Sequence, residues 1–186
     1  MQQGLIEQFA TFARPVLDLP MIRRTRRNHG LEHATIHILS QRIRDLRMAG
    51  RSTDSGFVLL GDAPTEMIET AVNDALRRMR SGEHHLAVHP NCGTNLVTTG
   101  FLTTMAAMLG LTGASRRDVW NRMPAVMALT MAAILFSQPV GASLQRHITT
   151  DGNPADLEVI SVRREQYHLP FSRNAVTMHR VITHSS

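Results

Sequence analysis

Apolar residues fall at helical spacing over Leu5, Ile6, Phe9, Phe12, Ala13 and Val16, with Pro15 and Pro20 interrupting the run. Glu7 and Arg14 divide its apolar surface and no basic leader precedes it. The stretch therefore predicts an amphipathic helix lying on a membrane or on the domain, not a secretory signal. A second helical period begins near Asn28, a good N-cap residue, with Ile36, Leu39, Ile43 and Leu46 as its buried stripe and Gly50 as its stop. Arg42, Arg44, Arg47 and Arg51 make its second half basic. Residues 56–61 read as a short buried strand, and Asp62 and Pro64 open a helix whose apolar positions Ile68, Ala71, Val72, Ala75, Leu76 and Met79 recur at three and four before Gly82 ends it. Residues 86–89 read as a second short strand, so 56–89 is expected to be a strand-helix-strand unit packed on the second helix.

Charge then disappears. Residues 92–115 and 123–145 are two uncharged stretches of 24 and 23 residues, and crossing a hydrocarbon core takes roughly 20. The favoured reading is a transmembrane hairpin joined by the loop holding Arg116, Arg117 and Asp118; the rival is a pair of core helices in a soluble protein. Residues 157–162 alternate like a strand that could join the earlier two. The last 20 residues, with His168, His179 and His184, show no pattern and read as a loose arm. The chain divides into an amphipathic, basic N-terminal segment (1–27), a cytoplasmic metal-site domain (28–93), the hairpin (94–145) and a C-terminal strand and tail (146–186). The expected class is an α+β membrane protein: a metal-motif helix, a small strand-helix-strand unit and a two-helix transmembrane hairpin.

Composition narrows the chemistry. All 20 basic residues are arginine, which excludes lysine nucleophiles and Schiff bases. The run Arg23-Arg24-Thr25-Arg26-Arg27 beside an apolar segment suits acidic lipid heads, or an ordinary solvated turn. A single cysteine, Cys92, rules out an internal disulfide. Aromatics are 4% of the chain and no nucleic-acid motif is present, so no nucleic-acid partner is expected.

The chemical signal lies in residues 28–37. His29, Glu32 and His33 share a helix face at spacings of three and four. This is H-x-x-E-H, the inverted zincin arrangement, in which two histidines hold a divalent metal and the glutamate between them activates a water. With 10 histidines and 7 glutamates in 186 positions, about 0.02 such matches arise by chance. The competing readings are hydrogen-bonded core histidines or the solvated polar end of a helix. His89-Pro90-Asn91-Cys92-Gly93-Thr94-Asn95 adds a histidine and a cysteine three apart around a turn whose backbone N–H groups can bond a thiolate.

Three stretches together, His29-Gly30-Leu31-Glu32-His33-Ala34-Thr35-Ile36, His89-Pro90-Asn91-Cys92-Gly93-Thr94, and Leu144-Gln145-Arg146-His147-Ile148-Thr149-Thr150 followed by Asp156-Leu157-Glu158-Val159, carry a likeness. They resemble the YqhQ-like group of bacterial membrane proteins, a domain of unknown function described as predicted metal-dependent enzymes, and more closely a relative of that group found in photosynthetic bacteria. The resemblance spans residues 22–164. It implies a membrane-embedded protein with a metal centre at His29, Glu32, His33, His89 and Cys92. The chain departs from the larger group at Asn91 and Asn95.

Two functions follow as expectations. In the first, a membrane-anchored hydrolase, His29, His33 and one of His89 or Cys92 hold Zn²⁺ or another divalent metal with one position open, and Glu32 is the general base. In the second, all four of His29, His33, His89 and Cys92 bind, the site is closed and structural, Glu32 orients an imidazole, and the protein is a subunit or assembly factor of a membrane complex. His37 is a ligand or an orienting group in either. The expected location is a multi-pass protein of the prokaryotic inner membrane, its partners the bilayer and a membrane protein, with the metal site facing the cytoplasm.

Overall fold

A computed structural model describes residues 4–168 and 175–186 and divides the chain into two compact units, Met1–His89 with Arg146–Ser186, and Pro90–Gln145. Among the described residues it is an α+β protein with six α-helices and one four-stranded antiparallel sheet.

The first unit opens with α1 (Leu5–Phe12) and α2 (Arg14–Leu17), followed by the long helix α3 (Pro20–Arg42). Pro20 stands at the first position of α3, where a missing N–H leaves nothing unsatisfied and the fixed φ suits the helix. The helix therefore begins at Pro20 instead of Asn28, and the arginine run is part of it. Asn28 is buried and cross-links the unit: its Nδ2 donates to the Thr53 carbonyl at 2.9 Å and its Oδ1 accepts from the Thr183 hydroxyl at 2.7 Å. The helix also ends early, where Ile43 turns extended. Gly50, expected as the stop, lies in β1 (Ala49–Thr53), which forms a hairpin with β2 (Gly56–Leu60).

The helix expected after Pro64 is α4 (Thr65–Arg80), and its stripe of Ile68, Ala71, Val72, Ala75, Leu76 and Met79 is buried as read. The strand expected over 86–89 is absent: His84–Ala87 is a 3-10 turn. Its short apolar run packs without pairing to the sheet, as such runs can. The strand-helix-strand unit is thus replaced by the β1–β2 hairpin, α4 and this turn. The strand read at 157–162 is the first part of β3 (Glu158–His168). It pairs with β4 (Ala175–His184), which supplies half of the stretch expected to be a loose arm; 169–174 lie outside the described residues. The order is β1-β2-β4-β3, so β4 is a central strand.

The core of this unit joins Leu31, Ala34, Ile38 and Leu39 of α3 to the α4 stripe and to Phe57, Leu59 and Val181 of the sheet. One face of the sheet and one face of α3 are thereby fixed around α4, and burying each large aliphatic or aromatic side chain contributes about 1.5–3 kcal/mol. This rigid block holds the histidine-bearing turn of α3.

The second unit is two helices, α5 (Gly93–Leu111) and α6 (Asp118–Leu144), the latter running into a π-helical turn at Gln145–Thr149. Both are long and apolar enough to cross a membrane. Leu96, Val97, Phe101 and Leu109 on α5 and Leu135 and Phe136 on α6 are exposed. Their polar groups are turned onto each other: Gln145 donates to Asn95 Oδ1 at 2.8 Å, Asn95 Nδ2 to the Pro90 carbonyl at 2.7 Å, and the Thr99 and Ser137 hydroxyls lie 2.7 Å apart. The threonines that dilute α5 bond back to their own helix, as Thr98, Thr103 and Thr104 do to carbonyls four residues earlier.

Candidate functional site

The last carbonyls of a helical turn have no partner within it. At the end of the 3-10 turn, α3 fills this vacancy: the His33 ring donates Nδ1–H to the Ala87 carbonyl at 2.8 Å, and the His37 ring donates Nε2–H to the Val88 carbonyl at 2.9 Å. At the end of the π-helical turn the Thr149 carbonyl accepts Nδ1–H of His29 at 2.9 Å. A carbonyl can only accept, so each bond fixes a tautomer. His29 and His33 direct their lone pairs through Nε2, and His37 through Nδ1. Orientation of a ring by such a bond is what metal-binding imidazoles ordinarily receive from their surroundings.

The rings form a chain. Centroids of His29 and His33 are 4.4 Å apart, those of His33 and His89 5.8 Å, and those of His89 and His37 4.8 Å. His33 is buried and the other three are half-buried. Burial, together with the charges that His37 and His33 would carry, pushes the His89 imidazole down to about 4. His89 is therefore neutral at neutral pH, the form that binds a metal.

Glu32 is buried, and burial pushes its carboxyl up; a hydrogen bond from the Ser52 hydroxyl at 2.5 Å and the nearby His29 ring act the other way. The carboxylate lies directly over Gly50 of β1, where a Cβ would overlap it. Glycine at this strand position makes room for the acid, and Ser52, two residues on along the same face, holds it. A carboxyl raised in this way and fixed by one donor is suited to proton transfer.

The structure thus brings together His29, Glu32, His33 and His89, and adds His37. Cys92 belongs to the second unit, where it is the N-cap of α5: its sulfur accepts the Thr94 N–H at 3.4 Å. Ser52 was missed in the sequence because β1, Ala-Gly-Arg-Ser-Thr, has no apolar alternation to mark it as a strand. The orienting groups at Ala87, Val88 and Thr149 are main-chain carbonyls, which no side-chain motif can reveal.

Comparison with known proteins gives one family and one relative. Residues 24–162, which include all five expected site positions, match the family model of a domain of unknown function, DUF6391. An uncharacterized protein of Picosynechococcus sp. is 32% identical over 161 residues, covering 80% of this chain and 74% of the relative. No solved structure matches.

Proposed function

This chain belongs to the DUF6391 family, and we propose that it is a membrane-anchored, metal-dependent hydrolase. The observation that carries the reading is the matched pair on α3: His29 and His33, rings 4.4 Å apart, both donate Nδ1–H to main-chain carbonyls and so both offer Nε2. His29 and His33 are two ligands of a divalent cation, and His89, or Cys92 three residues beyond it, is the third. Neutral imidazoles with a thiol are a donor set that suits zinc. Zinc, when bound, supplies Lewis acidity that lets water ionise near neutral pH. Glu32 takes the proton of a water as that water attacks a peptide, amide or ester carbonyl, and returns it to the departing group. Ser52 keeps the carboxylate aimed.

The length and apolar surface of α5 and α6 support a hairpin that crosses the inner membrane of a prokaryotic cell, with the highly charged first unit on the cytoplasmic side. The likeness to the YqhQ-like group accords with a metal centre of this kind. A second reading is favoured by the neutral His89 and the capped Cys92 sulfur: all four donors bind, the site is closed, and the protein is a structural subunit or assembly factor.

Elemental analysis of the purified chain is expected to give about one zinc per chain, and His33→Ala at least a tenfold lower content, since losing even an orienting group costs 10–100-fold in affinity. Zinc retained by His33→Ala overturns the metal reading. X-ray absorption then separates the two functions. Three protein ligands and an oxygen, with activity lost in Glu32→Ala, is the hydrolase; four protein ligands including a sulfur that disappears in Cys92→Ser, with no activity dependent on Glu32, is the closed site.

A further inference from the structure

A surface helix of a soluble domain turns its apolar stripe inward and its polar side to water. Residues 5–18 turn only part of their apolar surface inward, where Ala10 is buried and Ile6, Ala13 and Leu17 are half-buried. Glu7, Thr11, Arg14 and Asp18, at spacings of four, three and four, line a polar flank of α1 and α2 beside Ala10 and Leu17. Leu5, Phe9, Phe12 and Val16 form the opposite stripe and are exposed, Leu5 and Phe12 by 85% and 83%; Leu19 and Met21 continue the exposed surface into α3. Six large apolar side chains within 17 residues of a chain with two candidate membrane helices mark a surface made to be covered by something apolar.

This flank faces Arg26, Arg146, His147 and Asp151 across a cleft of about 500 Å³, within the range of small-ligand clefts of ~300–1,000 Å³. Its charges are balanced but unspent: Arg14, Arg26 and Arg146 stand with Glu7, Asp18 and Asp151, and among the described residues no ion pair joins any of them. Arg26 donates from Nη2 to the His147 and Thr150 carbonyls, while its buried Nε has no hydrogen-bond partner. The Asp151 carboxylate accepts the Asn153 N–H at 2.9 Å. A purely basic cleft would suit any anion. Three guanidinium groups interleaved with three carboxylates suit a ligand that carries both signs, a phosphodiester with an ammonium close by.

We propose that residues 5–21 are an amphipathic strap that lies in the bilayer surface by its exposed Leu5, Phe9, Phe12 and Val16 stripe, and that the cleft on its polar flank takes the headgroup of an aminophospholipid. The phosphodiester sits on Arg14, Arg26 and Arg146, and the ammonium on Glu7, Asp18 and Asp151. The metal reading plays no part in this; the inference shares with the proposed function only the presence of a bilayer.

Two measurements on the full chain test it. In native mass spectrometry from detergent, with phosphatidylethanolamine or phosphatidylglycerol added, the wild type is expected to retain the ethanolamine lipid at least fivefold over the glycerol lipid, and Arg146→Gln, at an exposed position, to retain it at least fivefold less than wild type. Equal retention of the two lipids overturns the headgroup assignment, and so does binding of soluble glycerophosphoethanolamine as strong as that of the lipid. In vesicles of chain-brominated phosphatidylethanolamine, a Phe12→Trp, Trp120→Phe chain is expected to lose at least half its fluorescence. An unquenched tryptophan at position 12, with the stripe buried against a second copy or a soluble partner, overturns the strap. The native Trp120 of α6, measured in the wild type, reports separately on the hairpin, so the two readings fail independently.

Discussion

Replacing Gly30 by alanine is expected to destabilise the first unit by about 3 kcal/mol, the top of the usual range for an over-filled interior, because the obstruction is main chain and cannot rotate away. A Cβ there would overlap the Asp151 carbonyl oxygen and meet Ala87 Cβ at 3.2 Å. The same two segments carry the carbonyls that orient the site, Ala87 for His33 and Thr149 for His29. Asp151 N–H bonds the Arg26 carbonyl at 3.0 Å, so the segment is seated on α3 immediately beside Gly30. At roughly 2–4 °C per kcal/mol for a chain of this size, the thermal midpoint falls by about 6–12 °C. If the proposed metal centre holds zinc, its content falls with it, because the rings lose their orienting bonds. Gly100→Ala, in α5 with nothing within 4 Å of the new methyl, leaves the midpoint level or slightly raised. Differential scanning fluorimetry with elemental analysis checks both variants. A Gly30→Ala chain as stable as wild type would mean that residues 147–151 are not held against the helix.

The second large effect concerns acid. His179 is fully buried on the central strand β4, its Nε2 3.2 Å from the Thr65 hydroxyl and its Nδ1 without a hydrogen-bond partner. Burial pushes its imidazole below the ordinary 6.5, the charge of Arg164 adds to this, and Asp62 opposes it. A folded-state value below the unfolded one means that only the unfolded chain gains the proton as pH falls through 6.5. Stability is therefore level above about pH 6.5, declines below it, and levels off again under the folded-state value. His179→Leu keeps the volume and is expected to change stability at pH 8 by less than about 1.5 kcal/mol, while flattening the decline between pH 7 and 5. His89, whose value is also low, contributes an acid decline of its own, so the informative quantity is the difference between wild type and variant. Parallel curves for the two proteins would show that His179 takes up its proton freely when folded.

The helical periods with a continuous apolar stripe were legible: α4, the two uncharged helices and the motif turn of α3 all follow from spacing. Errors cluster where one residue type serves two structural roles. Pro20 has the pattern of an interruption and is a first-turn residue; Gly50 has the pattern of a helix stop and is a strand position that clears space for Glu32. β4 escaped because its buried side carries His179, Val181 and Thr183, and two of these three are polar. Their burial is tolerated through partners far along the chain, Thr65 for His179 and Asn28 for Thr183, so the alternation is real but not hydrophobic. The histidines of the site could be read as a group from H-x-x-E-H and His89; the fixing of their tautomers by carbonyls could not.

The strand order has a consequence for synthesis. β2 ends at Leu60 and its partner β4 begins at Ala175, so a ribosome adding about 5–20 residues per second leaves that edge open for roughly 6–23 s. Throughout that interval both uncharged helices emerge and can be handed to the membrane while the sheet is still half made. On the proposed membrane reading, nascent protein docks at the lipid surface before its first unit is finished, and a ribosome stalled short of β4 exposes a ready template for aggregation.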